Sequence, residues 1–299
     1  MRFNNFSSYM RKTYGGNLEK ICLDGNFTCP NRDGTRGVGG CIFCGARGAG
    51  DHIEGLVDIK GQLKNFFLAR PKVKRAIAYF QNFTGTYAPV KTLEKLYLDA
   101  ISDERVLVLA IGTRPDCISE EICVLLEKIS TRVDVWVELG LQTIDDDVAT
   151  FCNRGYRTEE FARAYEMLTR HGIGVVAHMM VGLPHEDFEG TKRTLAYLNT
   201  FRLAGIKIHS VYVMRDTKLC EMYERGEYTP LSREEYVRRV VYILTHLPPD
   251  LIVHRITGDC VKSMLVAPEW NRDKNATLSE IYDRLESENL TQGCFYQKN

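Results

Sequence analysis

Apolar runs alternate with amphipathic patterns along this chain, and no other feature limits its fold as strongly. Ile21–Leu23, Ala76–Phe80, Val106–Ile111, Val133–Leu141, Gly174–Leu183 and Ile206–Val213 are short, apolar and rich in β-branched residues. Runs of that kind suit parallel strands covered on both faces. Helical patterns fall between them. Ser119–Ile129 places Ile122, Leu125, Leu126 and Ile129 at i, i+3, i+4 and i+7. Thr158–His171 repeats that register with Phe161, Ala164, Tyr165 and Leu168, and Gly172 follows as a stop signal. Thr191–Leu203 adds Leu195, Leu198 and Phe201. Such alternation builds right-handed βαβ units. Six of them predict an α/β fold, a partial (β/α)6 TIM-like barrel with its chemistry at the carboxyl ends of the strands.

The tail breaks the alternation. Ser232-x-x-Glu235 is a capping box that opens a helix to Leu247, which Pro248 and Pro249 end. Leu251–Ile256 reads as one more strand, and Thr277-x-x-Glu280 as the start of a last helix. A soft boundary near residue 230 divides a core, 1–230, from a C-terminal α/β extension, 231–299, packed against it.

Charge and hydropathy narrow the function. Lys plus Arg and Asp plus Glu balance at 39 each, so there is no global basic field of the kind that drives non-specific nucleic-acid binding. No apolar run reaches the roughly 18 residues of a membrane helix. The first residues lack the apolar stretch of a signal peptide. A cytoplasmic protein with mostly reduced cysteines is expected. Ten cysteines in such a compartment raise the expectation of a metal site, and spacing must decide.

The spacing that stands out is Cys29-x11-Cys41-x2-Cys44, in CPNRDGTRGVGGCIFCG. Glycines at 34, 37, 39, 40 and 45 let the backbone bend tightly around a bound group. Three thiolates without an obvious fourth would leave one iron of a cubane cluster open to the amine and carboxylate of a small molecule. Two other readings stand beside this one: buried cysteines acting as small hydrophobes, and a closed zinc site completed by His52. The position, after the first strand of a barrel-like alternation, favours a cofactor at the top face. Cys22, Cys117, Cys123, Cys152, Cys220, Cys260 and Cys294 form no second motif.

These segments resemble the radical S-adenosylmethionine (SAM) superfamily, in particular its YtqA/YhcC-type subgroup, which is related to the radical SAM domain of the elongator catalytic subunit. The similarity runs through FTCPNRDGT…GGCIFC, FQNFTGTYAP, IGTRPDC, VELGLQTIDD, NRGY, HMMVGLPHE, KIHSVYV and LPPDLIVHRITGD. It implies a radical SAM barrel with a [4Fe–4S] cluster on Cys29, Cys41 and Cys44. The Cys-x11-Cys gap departs from the Cys-x3-Cys of most superfamily members but suits the subgroup. The resemblance implies SAM contacts from Gln81, Thr84 and Tyr87 after the second strand, from Asp116, Glu138 and Gln142 after the third and fourth, from Arg154 as a carboxylate anchor, and from His178 near the adenine. His209, His254 and Arg255 point toward a substrate side.

The implied chemistry is reductive cleavage of SAM to a 5′-deoxyadenosyl radical that takes hydrogen from a substrate. A flavodoxin or ferredoxin-type donor would supply the electron. Kinship with elongator implies tRNA as partner, with the C5 side chain of a wobble uridine as target. Arg70, Lys72, Lys74, Arg75, Arg238 and Arg239 are the first candidates for RNA contact, and a charge run is equally a solvated face. A small metabolite or peptide substrate, and a non-catalytic zinc-binding adaptor, remain as rival readings.

Overall fold

The computed structural model describes residues 2–46, 48, 57–258 and 261–298. Helix α1 (Phe6–Tyr14) leads into strand β1 (Glu19–Leu23). Then follow α2 (Ile59–Ala69), β2 (Ala76–Phe80), α3 (Val90–Ala100), β3 (Val106–Thr113), α4 (Glu120–Ser130) and β4 (Asp134–Gln142). Next come α5 (Asp146–Phe151), α6 (Glu159–Arg170), β5 (Gly174–Val181), α7 (Phe188–Leu198) and β6 (Gly205–Ser210). The remaining elements are β7 (Val213–Met214), α8 (Lys218–Glu224), α9 (Arg233–His246), β8 (Ile252–Arg255), β9 (Leu265–Ala267) and α10 (Lys274–Ser287).

The main sheet has seven parallel strands in the order β1-β2-β3-β4-β5-β6-β8. It curls into an open, partial barrel. Six strands follow from the alternating core, and Leu251–Ile256 is expected as one more in the extension. The seventh, β8, comes from the tail and pairs with β6 along Gly205–Lys207.

The alternation of side chains divides the strands into two faces. Ala78 and Phe80, Leu109 and Ile111, Val135, Val137 and Leu139, and Ala177 and Met179 share one core with the surrounding helices. Ile77, Tyr79, Val108, Ala110, Trp136 and Val176 make a second core with Met10 of α1, so they face the barrel interior. Helix α1 lies across the amino ends of the strands, where the Tyr14 hydroxyl donates to Asp134 at 2.5 Å. Phe6 adds an edge-on contact with Trp136 and a ring contact with His254 at 4.3 Å. The floor is therefore packed, and among the described residues the barrel's cavity opens toward the carboxyl ends. No helix among the described residues is long and apolar enough to cross a membrane.

Local chemistry moves several element ends from their expected places. The sixth apolar run splits: β6 stops at Ser210, and Val213–Met214 turns away to pair antiparallel with β9. Helix α7 starts three residues before Thr191, because Asp187 caps it by accepting from the Gly190 amide. Phe201 lies beyond its end and packs against the rings of Phe161 and Tyr165 at 5.4 and 4.8 Å. Helix α10 starts before Thr277, capped by Asp273, which accepts from the Ala276 amide. Ser232 caps α9 as expected, accepting from the Glu235 amide.

Candidate active site

One cavity of about 240 Å³ opens at the carboxyl ends of the strands, and its wall collects residues from six of them and from the loops that follow. The loop after β1 brings Cys29, Cys41 and Cys44 to it. Local bonds shape that loop. The Cys44 amide donates to the Cys41 carbonyl at 3.0 Å, and Arg32 donates to the carbonyls of Cys44 and Gly45 at 3.1 and 2.8 Å. Gly39 and Gly40 take φ of 80° and 73°, a left-handed region that favours glycine. The hydrogen bond from Cys41, joined by the nearby Arg32 and Arg114 guanidiniums, holds the Cys44 thiol below its usual range. An Arg114 Nη1 lies 4.0 Å from Cys29 Sγ. Among the described residues no three His, Cys, Asp or Glu side chains gather closely enough to hold a single metal ion. His52 and Cys260 lie outside the described residues.

NRGY ties this loop to the barrel. Asn153 donates through Nδ2 to the Val38 and Gly40 carbonyls at 3.0 and 2.7 Å. The Tyr156 hydroxyl sits 2.6 Å from the Gly140 carbonyl and 2.8 Å from Gln142 Oε1, against the cavity. Arg154 corrects an expectation. Its guanidinium is buried and donates to the carbonyls of Leu141, Thr143 and Tyr156, to Asp146 and to Thr158 Oγ1. With every nitrogen so engaged, and away from the cavity wall, it has no donor for a SAM carboxylate. It pins the end of β4 to α5.

The other expected contacts divide. Gln81, Thr84, Glu138, Gln142 and His178 line the cavity. Thr84 Oγ1 is buried there without a hydrogen-bond partner. Tyr87 instead donates to Thr35 Oγ1 at 2.9 Å, outside the cavity wall. Asp116 is also set back. It accepts a bidentate pair from Arg114 at 2.9 and 2.8 Å, leaving Arg114 to face the cavity. Tyr87 and Asp116 thus stand outside the cavity wall, each bonded to a neighbouring side chain. His254 lies low in the barrel between Phe6 and Trp136, and burial pushes its imidazole down to about 3.

Beneath lies a polar layer in which Tyr79 and Lys207, not expected from the sequence, join Glu138, His178 and His209. Glu138 Oε2 accepts from the Tyr79 hydroxyl at 2.6 Å, from His178 Nε2 at 2.9 Å, and from Lys207 Nζ. Burial would raise the Glu138 carboxyl, but the Lys207 ammonium and His178 outweigh it and hold it well below the usual range. Burial, with Lys20 and Arg255 near, brings Lys207 down to about 7 against the pull of Glu138. Burial likewise lowers His178 and His209, so both imidazoles are neutral at pH 7. The signal was present in IKIHS: Lys207 and His209 alternate with Ile206 and Ile208, and a lysine in a doubly covered strand needs a buried partner.

Residues 31–198 match the radical SAM superfamily model. The chain belongs to that superfamily. Residues 203–287 match the model of the radical SAM C-terminal domain. The chain is 36% identical to the uncharacterized protein YtqA of Bacillus subtilis (strain 168), over 99% of this chain and 94% of that protein. It is 31% identical to a tRNA uridine(34) acetyltransferase of Methanocaldococcus jannaschii, over 66% of this chain but 36% of that protein. Its fold is similar to that of the archaeal Methanocaldococcus infernus Elp3 with its N-terminus deleted, at a TM-score of 0.67 and 20% identity, over 92% of this chain and 64% of that one. As a radical SAM enzyme, the protein depends on SAM and an iron–sulfur group, and a cavity at the carboxyl ends of a partial barrel suits both.

Proposed function

We propose that Cys29, Cys41 and Cys44 hold a [4Fe–4S] cluster and that SAM occupies the cavity beside it. The observation that carries this reading is the single cavity shared by those three thiols and the polar ends of β2 to β6. Three features of the chain favour the fit. Thiolates are the usual protein ligands of such clusters, and the donor set holds three of them. Thr84 Oγ1 lacks a protein partner at the cavity wall and is available to a ligand. Gly112 and Gly140, without side chains, leave the mouth open above the polar layer. When bound, the cluster would supply one electron to SAM for reductive cleavage of its C5′–S bond, releasing methionine and a 5′-deoxyadenosyl group able to take hydrogen from substrate. The chain's part is positioning and exclusion of water. Gln81, Gln142 and His178 offer hydrogen bonds at the rim, and Arg114, fixed by Asp116, places positive charge beside Cys29. The electron donor in this reading is a flavodoxin or ferredoxin.

The substrate we propose is tRNA, modified at the C5 side chain of a wobble uridine. Support comes from the partial match to an enzyme named for tRNA uridine 34. A second reading, a small metabolite or peptide, is favoured by the zero formal net charge. Modified nucleosides in tRNA from wild-type and deletion cells separate the two. A changed wobble-uridine profile is expected, and an unchanged one refutes the tRNA assignment. Anaerobically purified protein should be brown and form 5′-deoxyadenosine with dithionite and SAM. A colourless, zinc-loaded protein that forms none would instead be the adaptor.

A further inference from the structure

Arg114 is a buried guanidinium whose donors are almost all committed. It stands just beyond β3, with its side chain 9% exposed. Nε and Nη2 donate to the two oxygens of Asp116 at 2.9 and 2.8 Å. Nη1 donates to the Arg154 carbonyl at 2.9 Å, and Nη2 to the Gly155 carbonyl at 3.3 Å. A guanidinium has five N–H donors, so one remains, on Nη1. Cys29 Sγ lies 4.0 Å from that nitrogen. The Tyr156 ring, its centroid 4.7 Å from the guanidinium carbon, covers one face and helps to fix the plane. The charges around Arg114 do not cancel. Asp116, whose side chain is fully buried, is shared with Arg36 of the cysteine loop, whose Nε lies 3.4 Å from Oδ2. Two guanidiniums on one carboxylate leave one positive charge in excess, and Arg114 presents it to the sulfur. Arg32 adds a further cation at Cys44, donating to the carbonyls of Cys44 and Gly45.

We infer that Arg114, Asp116 and Arg36 together set the reduction potential of the group that the three cysteines hold, by aiming a fixed cation and one N–H at Cys29 Sγ. This assignment rests on a [4Fe–4S] cluster occupying those cysteines. Reduction places one more negative charge on such a cluster, and its potential follows net charge and hydrogen bonds to its sulfurs. A cation held in a buried site, where salt screens weakly, favours the reduced form and raises the potential. The one electron comes from the external donor and stays on the cluster, and no other atom is exchanged. Asp116 acts in two senses. It holds the guanidinium in place, and its own negative charge offsets part of the effect. The donors of Arg114 are already committed, so its role is electrostatic, and it is a positioning residue for the cluster.

The test is a redox titration of the cluster-reconstituted protein without SAM, followed by the electron paramagnetic resonance of the reduced cluster. Arg114→Gln removes the charge and keeps a side-chain N–H. It should shift the one-electron equilibrium toward the oxidised form by about tenfold or more, and tenfold is a fall of about 59 mV. Asp116→Asn should raise the potential, because the Arg154 and Gly155 carbonyls and the Tyr156 ring still hold the guanidinium. Arg36→Gln, at a half-exposed position, should lower it by less than Arg114→Gln. Opposite signs for the Arg114 and Asp116 variants identify charge as the cause, whereas a purely structural role moves both one way. If Arg114→Gln does not take up iron, the signs of the Asp116 and Arg36 variants decide. Unchanged potentials, or a fall in both Arg114→Gln and Asp116→Asn, overturn the inference. An unchanged potential with weaker SAM binding in Arg114→Gln makes Arg114 a cofactor ligand and overturns it equally. Wild-type protein that takes up no iron and sulfide refutes the cluster reading itself. A cluster whose potential ignores these three residues refutes only their role.

Discussion

Glu186 is a residue whose environment opposes its ionisation. It follows the Gly182-Leu183-Pro184 turn, with both carboxylate oxygens buried. Burial raises its carboxyl to about 7. The folded chain therefore holds a proton there that the unfolded chain releases near pH 4.3. The stability this proton confers is complete below the unfolded value and is lost as pH rises to about 7, a change of about 3 kcal/mol. Glu186→Gln removes the ionisation. Denaturant unfolding at pH 5 and pH 8 should show the variant gaining about 1–3 kcal/mol over wild type at pH 8 and little at pH 5. An unchanged pH dependence would show that Glu186 is ionised in the folded protein.

At the scale of the element, β4 does most to build the site. Its alternation sends Val135, Val137 and Leu139 to the helices while Trp136 joins the inner core and Glu138 and Gly140 line the cavity. Gly140 is small because its neighbours are close. A Cβ there would stand 2.4 Å from Gln142 Nε2 and 3.2 Å from the Tyr156 hydroxyl. Gly140→Ala should keep the fold, since the nearest atom is the end of a flexible amide. It should displace Gln142 from Tyr156 and weaken SAM binding by about tenfold, or ~1.4 kcal/mol. Equilibrium binding of SAM to the reconstituted variant measures this, and wild-type affinity would remove Gln142 from the cofactor site.

For the whole molecule, the core and the tail are coupled by backbone pairing. Strand β8 completes the sheet beside β6, and the Val253 amide donates to the Asn4 carbonyl at 2.9 Å. Tyr236, Val240, Ile243 and Leu244 of α9 are buried in the main core. A chain ended at residue 230 loses these contacts and bares the edge of β6, which invites aggregation. Such a chain should be insoluble or lack a cooperative unfolding transition, although the three cysteines and β1 to β6 all remain. A soluble, cooperatively folding fragment that still carries the cluster would make the tail an independent addition.

What the sequence alone determined was local or periodic. The apolar runs located the seven strands of the main sheet, because a strand covered on both faces is predominantly apolar. Ser232 announced its helix, because a cap acts within three residues. The cysteine spacing, with the glycines around it, pointed to a bound cofactor for a similarly local reason. Only the tertiary structure decided the rest. That β8 joins the main sheet depends on pairing between segments some fifty residues apart. Arg154 reads like an anion anchor until its acceptors at Leu141, Thr143 and Asp146 are seen. The strand pattern says that Lys207 needs a buried partner, and only the fold shows that it is Glu138, 69 positions away. A titratable group takes its role from the groups that surround it in space, and distance along the chain does not report which those are.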